Sequence, residues 1–417
     1  MSVADLEKAV NELTASSNEQ TQASAALSTT VSEKIADIDK KVDLSISQLE
    51  TEFEDHSSKL TIISTDGYRK AIEDASGGLN TVIYDAQGNP NVMYVQQRFN
   101  LEDANAALLA RTGIDFKLGV GTPTAFLTNG VPRSEIFIGR FLASSMGAGT
   151  AVVGGVQPKT SVNFDAAREL CTRKGDGWHL MSIHEQAALA LYAFINNTIP
   201  RGNTNYGRSH ECKWESARRS DNGVPGEASG TGRSDTGKGP ASWNHDGSPF
   251  GVADLVGNTW EHVDQLLLDD GQFLVTPDNN PGMAEAEWSR LAAFLDSTSD
   301  SQSGNVGSPI FNSSVTKRNG PVDDDGTAHA YMHNANFAAM LKTESYAGNE
   351  LLRQLLIESE DPASVGGSIY ARNHGARSPR RGGSWNNGSS AGLGALDLYL
   401  ARTGAYSNIG FRPAFFG

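Results

Sequence analysis

From Val3 to Phe53 the apolar residues recur every three or four positions. Val3, Leu6, Val10 and Leu13 keep the spacing of a heptad, and Ser17, Gln20 and Ser24 carry polar side chains in the same frame. From there Leu27, Val31, Ile35, Ile38, Val42, Ile46, Leu49 and Phe53 advance in steps of 4, 4, 3, 4, 4, 3 and 4. Such spacing predicts one long helix with an apolar seam. The second series repeats every 11 residues, which predicts a straight or slightly right-handed supercoil. Residues 1–63 contain no proline, and up to Leu60 they hold twelve acidic against five basic residues. A helix folded back on its own domain would overhang it, so residues 1–65 are expected to be a coiled-coil stalk that assembles with copies of itself.

Beyond the stalk the pattern changes. Thr81-Val82-Ile83-Tyr84 and Asn91-Val92-Met93-Tyr94-Val95 flank Asp85-Ala86-Gln87-Gly88-Asn89-Pro90, and β-branched and aromatic runs around such a turn predict a hairpin. With 116–120 or 124–127 as its strand partner, residues 66–130 read as a small β-rich collar. A head then occupies 131–417, with an insertion at about 265–380 that holds helix candidates at 283–295 and 346–358 and a Ser/Gly/Asn-rich loop at 297–321. The expected fold class is α+β.

Composition narrows the function. The chain has 417 residues, 44 of them glycine, and a formal net charge of −15, which argues against nucleic acid or an anionic membrane as partners reached by charge attraction. No apolar run reaches the length of about 18 residues that membrane insertion needs, and the N-terminus lacks the basic and apolar regions of a signal peptide. The expectation is synthesis in a cytoplasm, with any route outside being as part of a particle. Cys171 and Cys212 are the only cysteines, so there is no disulfide framework, and buried free thiols are expected.

The end of the chain carries the most information. Arg381-Gly382-Gly383-Ser384-Trp385 and Ile409-Gly410-Phe411-Arg412-Pro413 frame a middle of small, polar and aromatic residues. With Gly257-Asn258-Thr259-Trp260-Glu261 upstream, this frame resembles the C-type-lectin-like fold of formylglycine-generating enzymes and of the variable proteins made by diversity-generating retroelements, a group that includes the major tropism determinants of phage tail fibres. The resemblance covers about 131–417, with Ile136-Phe137-Ile138-Gly139-Arg140 as the opening strand. Ser161 to Ala167 would begin the first helix, and Trp178 to Ser182 with Glu185 would lead into the second.

The resemblance carries chemistry with it. In the enzymes, two cysteines hold copper shortly after the segment matching Arg381 to Trp385; here those positions are Asn387 and Gly392, neither of which offers a thiolate for Cu(I). The enzyme branch also implies a structural calcium held by Asp254, the carbonyls of Gly257 and Thr259, and Glu261, oxygen ligands that suit a hard cation. The alternative is that Asp254 and Glu261 cap turns while Trp260 packs in the core. No catalytic cofactor is required. The Glu-Pro-Asn or Gln-Pro-Asp motif of sugar-binding C-type lectins is absent from the head. His329 and His333 would share a helix face, as a zinc pair or as a partly buried surface. Residues 232–239 approach a phosphate loop, but Gly239 replaces the magnesium-binding hydroxyl. Arg377, Arg380 and Arg381 are expected to pair internally.

Between Asn386 and Asn408 there is no Lys, Glu, Gln, Met or Trp, the set of residues that randomised adenines in AAC-type codons cannot produce. Asn386, Asn387, Ser389, Ser390, Leu393, Leu396, Asp397, Tyr399, Tyr406, Ser407 and Asn408 are expected to face outward and bind a ligand, Tyr as rigid anchors and Asn and Ser as adaptable hydrogen-bonding groups. The expectation is a non-enzymatic phage or prophage tail-fibre tip in the virion. Its partners would be a host cell-surface receptor of protein or glycan, its own copies as a homotrimer, and tail or baseplate proteins at the stalk. Alternatives are a bacterial retroelement-diversified ligand-binding protein and an enzyme of the sulfatase-modifying-factor type.

Overall fold

The computed structural model describes the backbone of residues 2–62, 65–299, 304–305, 307–318, 330–335, 340–358, 360 and 366–417; the side chains of 52–62, 65–66, 304–305 and 330 fall outside that description. The chain is α+β, a long helix followed by a β-rich head. Backbone contacts divide it into Met1–Tyr68 and Arg69–Gly417.

The first unit is built on the helix Val3–Ile62. At its start the Ser2 hydroxyl accepts from the Asp5 amide at 3.2 Å while the Asp5 carboxylate accepts from the Ser2 amide at 2.8 Å, a reciprocal cap that satisfies orphan donors. Leu6, Val10, Leu27, Val31, Ile35 and Ile46 are all exposed in the single chain. The side chain of Phe53, at the end of the expected seam, lies outside the described residues.

After the helix Thr65–Ser76 comes the hairpin of Asn80–Tyr84 and Pro90–Gln97, where Thr81 opposes Met93 and Tyr84 opposes Pro90. Asp85 shapes its turn by accepting from the amides of Gln87 at 3.1 Å and Asn89 at 2.8 Å. The sequence suggests a separate collar here, but the hairpin belongs to a head sheet: Met93 opposes Gly139 and Tyr94 opposes Ile138. Val92, Met93 and Tyr94 are all buried, so the strand needs cover on both faces. The partners expected from 116–120 and 124–127 do not supply it. Thr124–Phe126 is a 3-10 turn, and Leu127–Thr128 pairs with Val131–Pro132. Between the hairpin and that turn in the sequence, the helix Leu101–Thr112 buries Leu101, Ala104 and Leu108.

That five-stranded sheet closes with Pro413–Phe415 between Glu135–Gly139 and Trp178–Leu180. Strands near the two ends of the head are therefore hydrogen-bonded neighbours. Two helices begin where side chains cap them. Asn163 Oδ1 accepts from the Ala166 amide at 2.8 Å ahead of Phe164–Thr172. Ser182 and Glu185 form a capping box at 3.1 and 2.9 Å ahead of Ile183–Asn196, and the other Glu185 oxygen lies 2.9 Å from His179 Nε2.

Among the described residues, the regular elements of the expected insertion are mainly strands. In place of a helix at 283–295 the chain forms Ser289–Ser297, paired with Gln272–Val275 and Pro309–Asn312 in a six-stranded sheet, because cross-strand partners outweigh helix propensity. The second candidate shortens to Glu350–Gln354. His333 sits on the strand Ala330–Asn334, not on a helix, with its ring stacked on Tyr370 at 4.5 Å; His329 lies outside the described residues. A seven-stranded sheet runs in the order Gly304–Asn305, Ala330–Asn334, Ile369–Ala371, Gly392–Leu398, Arg380–Gly382, Trp260–His262 and Ile409–Phe411. The motifs singled out in the sequence meet in it.

Candidate functional site

The frame holds through buried charges. Arg412 forks onto Glu261, Nε to Oε2 at 2.9 Å and Nη2 to Oε1 at 2.8 Å, and also donates to the carbonyls of Gly139 and Ala253, each at 2.8 Å. Arg381, also buried, donates to the carbonyls of Gly394 at 2.9 Å and Leu355 at 2.8 Å, and burial pushes it down to about 9. Arg380 pairs with Asp397 at 2.9 Å, whereas Arg377 bonds the His374 carbonyl. A Cβ on Gly383, where φ is +89°, would lie 2.6 Å from that of Ala391, so only glycine allows this approach.

From this frame two short stretches reach solvent. In the first, the Asn387 side-chain oxygen accepts from both the amide and the hydroxyl of Ser384 at 2.8 Å, and the Gly388 amide bonds the Thr204 carbonyl at 3.0 Å. Asn386 and Ser389 are exposed; Asn387 and Ser390 are half-buried. In the second, backbone carbonyls are pinned by the head: Arg402 by the Phe164 amide, Tyr406 by the Ser161 amide and Asn408 by the Trp260 amide, at 3.1, 3.1 and 2.9 Å. The Arg402 side chain bridges Asp165 and Glu285 and lies 4.9 Å over the Phe164 ring. Tyr406 is 45% exposed, Ser407 is exposed and Asn408 half-buried. Both stretches are bonded to the head at several backbone positions, and Asn386, Ser389, Tyr406 and Ser407 keep exposed side chains.

Leu393, Leu396 and Asp397 do not face out. They are 1, 0 and 9% exposed, because Gly392–Leu398 runs between Ile369–Ala371 and Arg380–Gly382 and is covered on both faces, so the alternation expected of a half-exposed strand fails. Asn387 is committed to the Ser384 turn. Tyr399 is half-buried, with Tyr331 edge-on at 5.5 Å. Tyr331 arrives from a distant strand and has no local sequence signal linking it to the site.

The calcium set fares differently from its expectation. Asp254 sits at φ +63° with Oδ2 accepting from the Gly237 amide at 2.8 Å. Burial, with Glu261 adding to it and Gly237 and Arg412 opposing, pushes its carboxyl up to about 6. The cation facing Glu261 is the Arg412 guanidinium, which engages both carboxylate oxygens. These donors do not fit a calcium shell, since a second cation there would meet the guanidinium. Among the described residues no group of three or more His, Cys, Asp or Glu could hold a metal ion. Trp260 packs in the core, edge-on to Tyr370. Cys171 is buried and Cys212 partly exposed, both free, and neither belongs to the 386–408 segment.

The chain is similar to the Major Tropism Determinant. Its P3c variant aligns at 14% identity over 67% of this chain and 50% of that one, with a TM-score of 0.26. The M1 variant aligns at 15% over 72 and 56%, with a TM-score of 0.27, and the U1 variant at 14% over 78 and 63%, with 0.26. The chain thus spans between half and two thirds of those chains' lengths. No family model matches, and no curated protein does. Similarity at this level bears on neither ligand nor partner.

Proposed function

We propose that the chain is a receptor-binding protein of a phage or prophage tail fibre, which recognises a host cell-surface molecule through the exposed side chains of its C-terminal segment. The observation that carries this is that the exposed side chains of Asn386, Ser389, Tyr406 and Ser407 sit on stretches whose backbone is bonded to the head at Gly388, Ser390, Tyr406 and Asn408. Substitutions there can alter what is bound without altering what folds. Tyr supplies rigid contact area and Asn and Ser supply hydrogen bonds, the composition of an adaptable binding face. The exposed seam of the helix supports assembly with further copies of the chain; in this reading three copies form a parallel stalk that attaches to tail or baseplate proteins, and several weak contacts presented together gain through avidity.

The test is binding of fluorescently labelled protein to a panel of bacterial strains. Saturable binding to some strains, lost on replacing Tyr406 and Ser407 with Ala at unchanged melting temperature, supports the proposal. Strain binding that survives those changes refutes it.

A further inference from the structure

Beside the Ser384 turn the head opens into a cleft of about 300 Å³. One wall is Ser389, Ala391, Gly392 and Leu393, part of the segment read above as the binding stretch; Thr204, His210, Glu211 and Arg201 line the other side. The floor is set by close backbone approaches. A Cβ on Gly202 would lie 1.8 Å from the Val256 carbonyl oxygen, and one on Gly392 would lie 2.8 Å from the Gly366 carbonyl carbon. The volume is at the small end for ligand sites, enough for one compact ligand.

Charge decides its class. Arg201 forks onto Glu215, with Nε at 2.9 Å from Oε2, and Glu215 also takes the Ser242 hydroxyl at 2.9 Å and the Trp243 indole at 2.8 Å, so the guanidinium charge is already matched. His210 Nδ1 is bonded to the Thr204 hydroxyl at 2.8 Å, which leaves Nε2, 3.8 Å from Glu211 Oε1. Glu211 is 61% exposed at its side chain and the Ser389 side chain is exposed beside it. No buried unmatched charge remains to select a carboxylate or an ammonium. What remains is an imidazole nitrogen, a carboxylate and a hydroxyl, which together donate and accept in turn, set against apolar Ile199, Val256 and Leu393. That complement matches a molecule with adjacent hydroxyls and C–H faces. We propose that the cleft binds one uncharged sugar residue at the end of a host surface glycan, a proposal that rests on the receptor-binding reading and names its ligand.

Saturation-transfer difference NMR on the full chain tests this with methyl glycosides of glucose, galactose, mannose and N-acetylglucosamine, and with sodium acetate and lysine amide as charged probes. At least one glycoside should bind. Its affinity should fall about tenfold in Glu211→Gln and in His210→Ala, the loss of about one hydrogen bond. Ser389→Trp, at an exposed position, should block the cleft and abolish binding at unchanged melting temperature. Binding of none of the glycosides, binding that survives Ser389→Trp, or preference for acetate or lysine amide overturns the proposal. The strain panel separates the two readings. If Tyr406 and Ser407 variants lose cell binding while no glycoside binds, only the sugar cleft falls; if cell binding survives those variants, the receptor-binding face falls with it.

Discussion

Replacing Asp254 by Asn should stabilise the head at neutral pH. The carboxyl is buried and its pKa rises from an ordinary 3.8 to about 6, so at pH 7 the folded chain holds a charge it disfavours. The difference of about 2.2 pH units corresponds to about 3 kcal/mol at 1.36 kcal/mol per unit. The sign follows from proton binding. Between pH 3.8 and about 6 the folded state keeps a proton that the unfolded state has released, so stability falls as pH rises through that window and stays at its lower level above it. Asn is neutral, keeps an oxygen to accept from the Gly237 amide and tolerates φ +63° better than most residues. Urea denaturation of wild type and Asp254→Asn from pH 3.5 to 7.5 should therefore give curves that coincide at the acid end and separate, variant above wild type, by up to about 3 kcal/mol at pH 7. Added calcium or chelator should move neither curve. A variant less stable than wild type at pH 7, together with calcium raising the melting temperature of wild type alone, would refute the reasoning and restore a metal at this site.

Three further outcomes follow from the frame and the stalk. Arg412→Met leaves the buried Glu261 carboxylate without its cation and should cost about 3–5 kcal/mol in denaturant titration. Trp260→Ala should cost a similar 3–5 kcal/mol, since it removes a buried ring from the seven-stranded sheet. Deleting residues 1–63 should convert the trimer proposed here to monomers in analytical ultracentrifugation while the head keeps its cooperative melt; a full-length chain that sediments as a monomer at micromolar concentration would count against the stalk.

Where local sequence and tertiary context agree, the sequence was legible. The helix Val3–Ile62 follows its apolar spacing, the hairpin follows its turn residues, and the two helices start within Ser161 to Ala167 and after Ser182, where the sequence places them. The frame motifs lie in neighbouring strands because Arg412 and Glu261 require each other when buried. Elsewhere the context was decisive. The stretch at 289–297 contains good helix formers and becomes a central strand because neighbours on both sides offer backbone partners. The same burial on two faces misled the outward assignment of Leu393, Leu396 and Asp397. Tyr331 comes to Tyr399 through pairing of strands far apart in sequence, which no window on either residue reveals. The cleft beside Ser389 is likewise made of segments from 199–211 and 366–393.

The most direct test of the receptor-binding face compares wild type with Asn386→Ala, Ser389→Ala, Tyr399→Ala and Tyr406→Ala in a surface-binding titration on cells of one strain that binds the wild type. Melting temperatures are recorded in parallel, and the measurement is repeated on a head lacking residues 1–63 to remove avidity. Tyr406→Ala should weaken binding by about 2 kcal/mol or more if it anchors the contact, with melting unchanged, whereas Trp385→Ala should lose the fold first. Unaltered cell binding by all four variants would contradict the central claim.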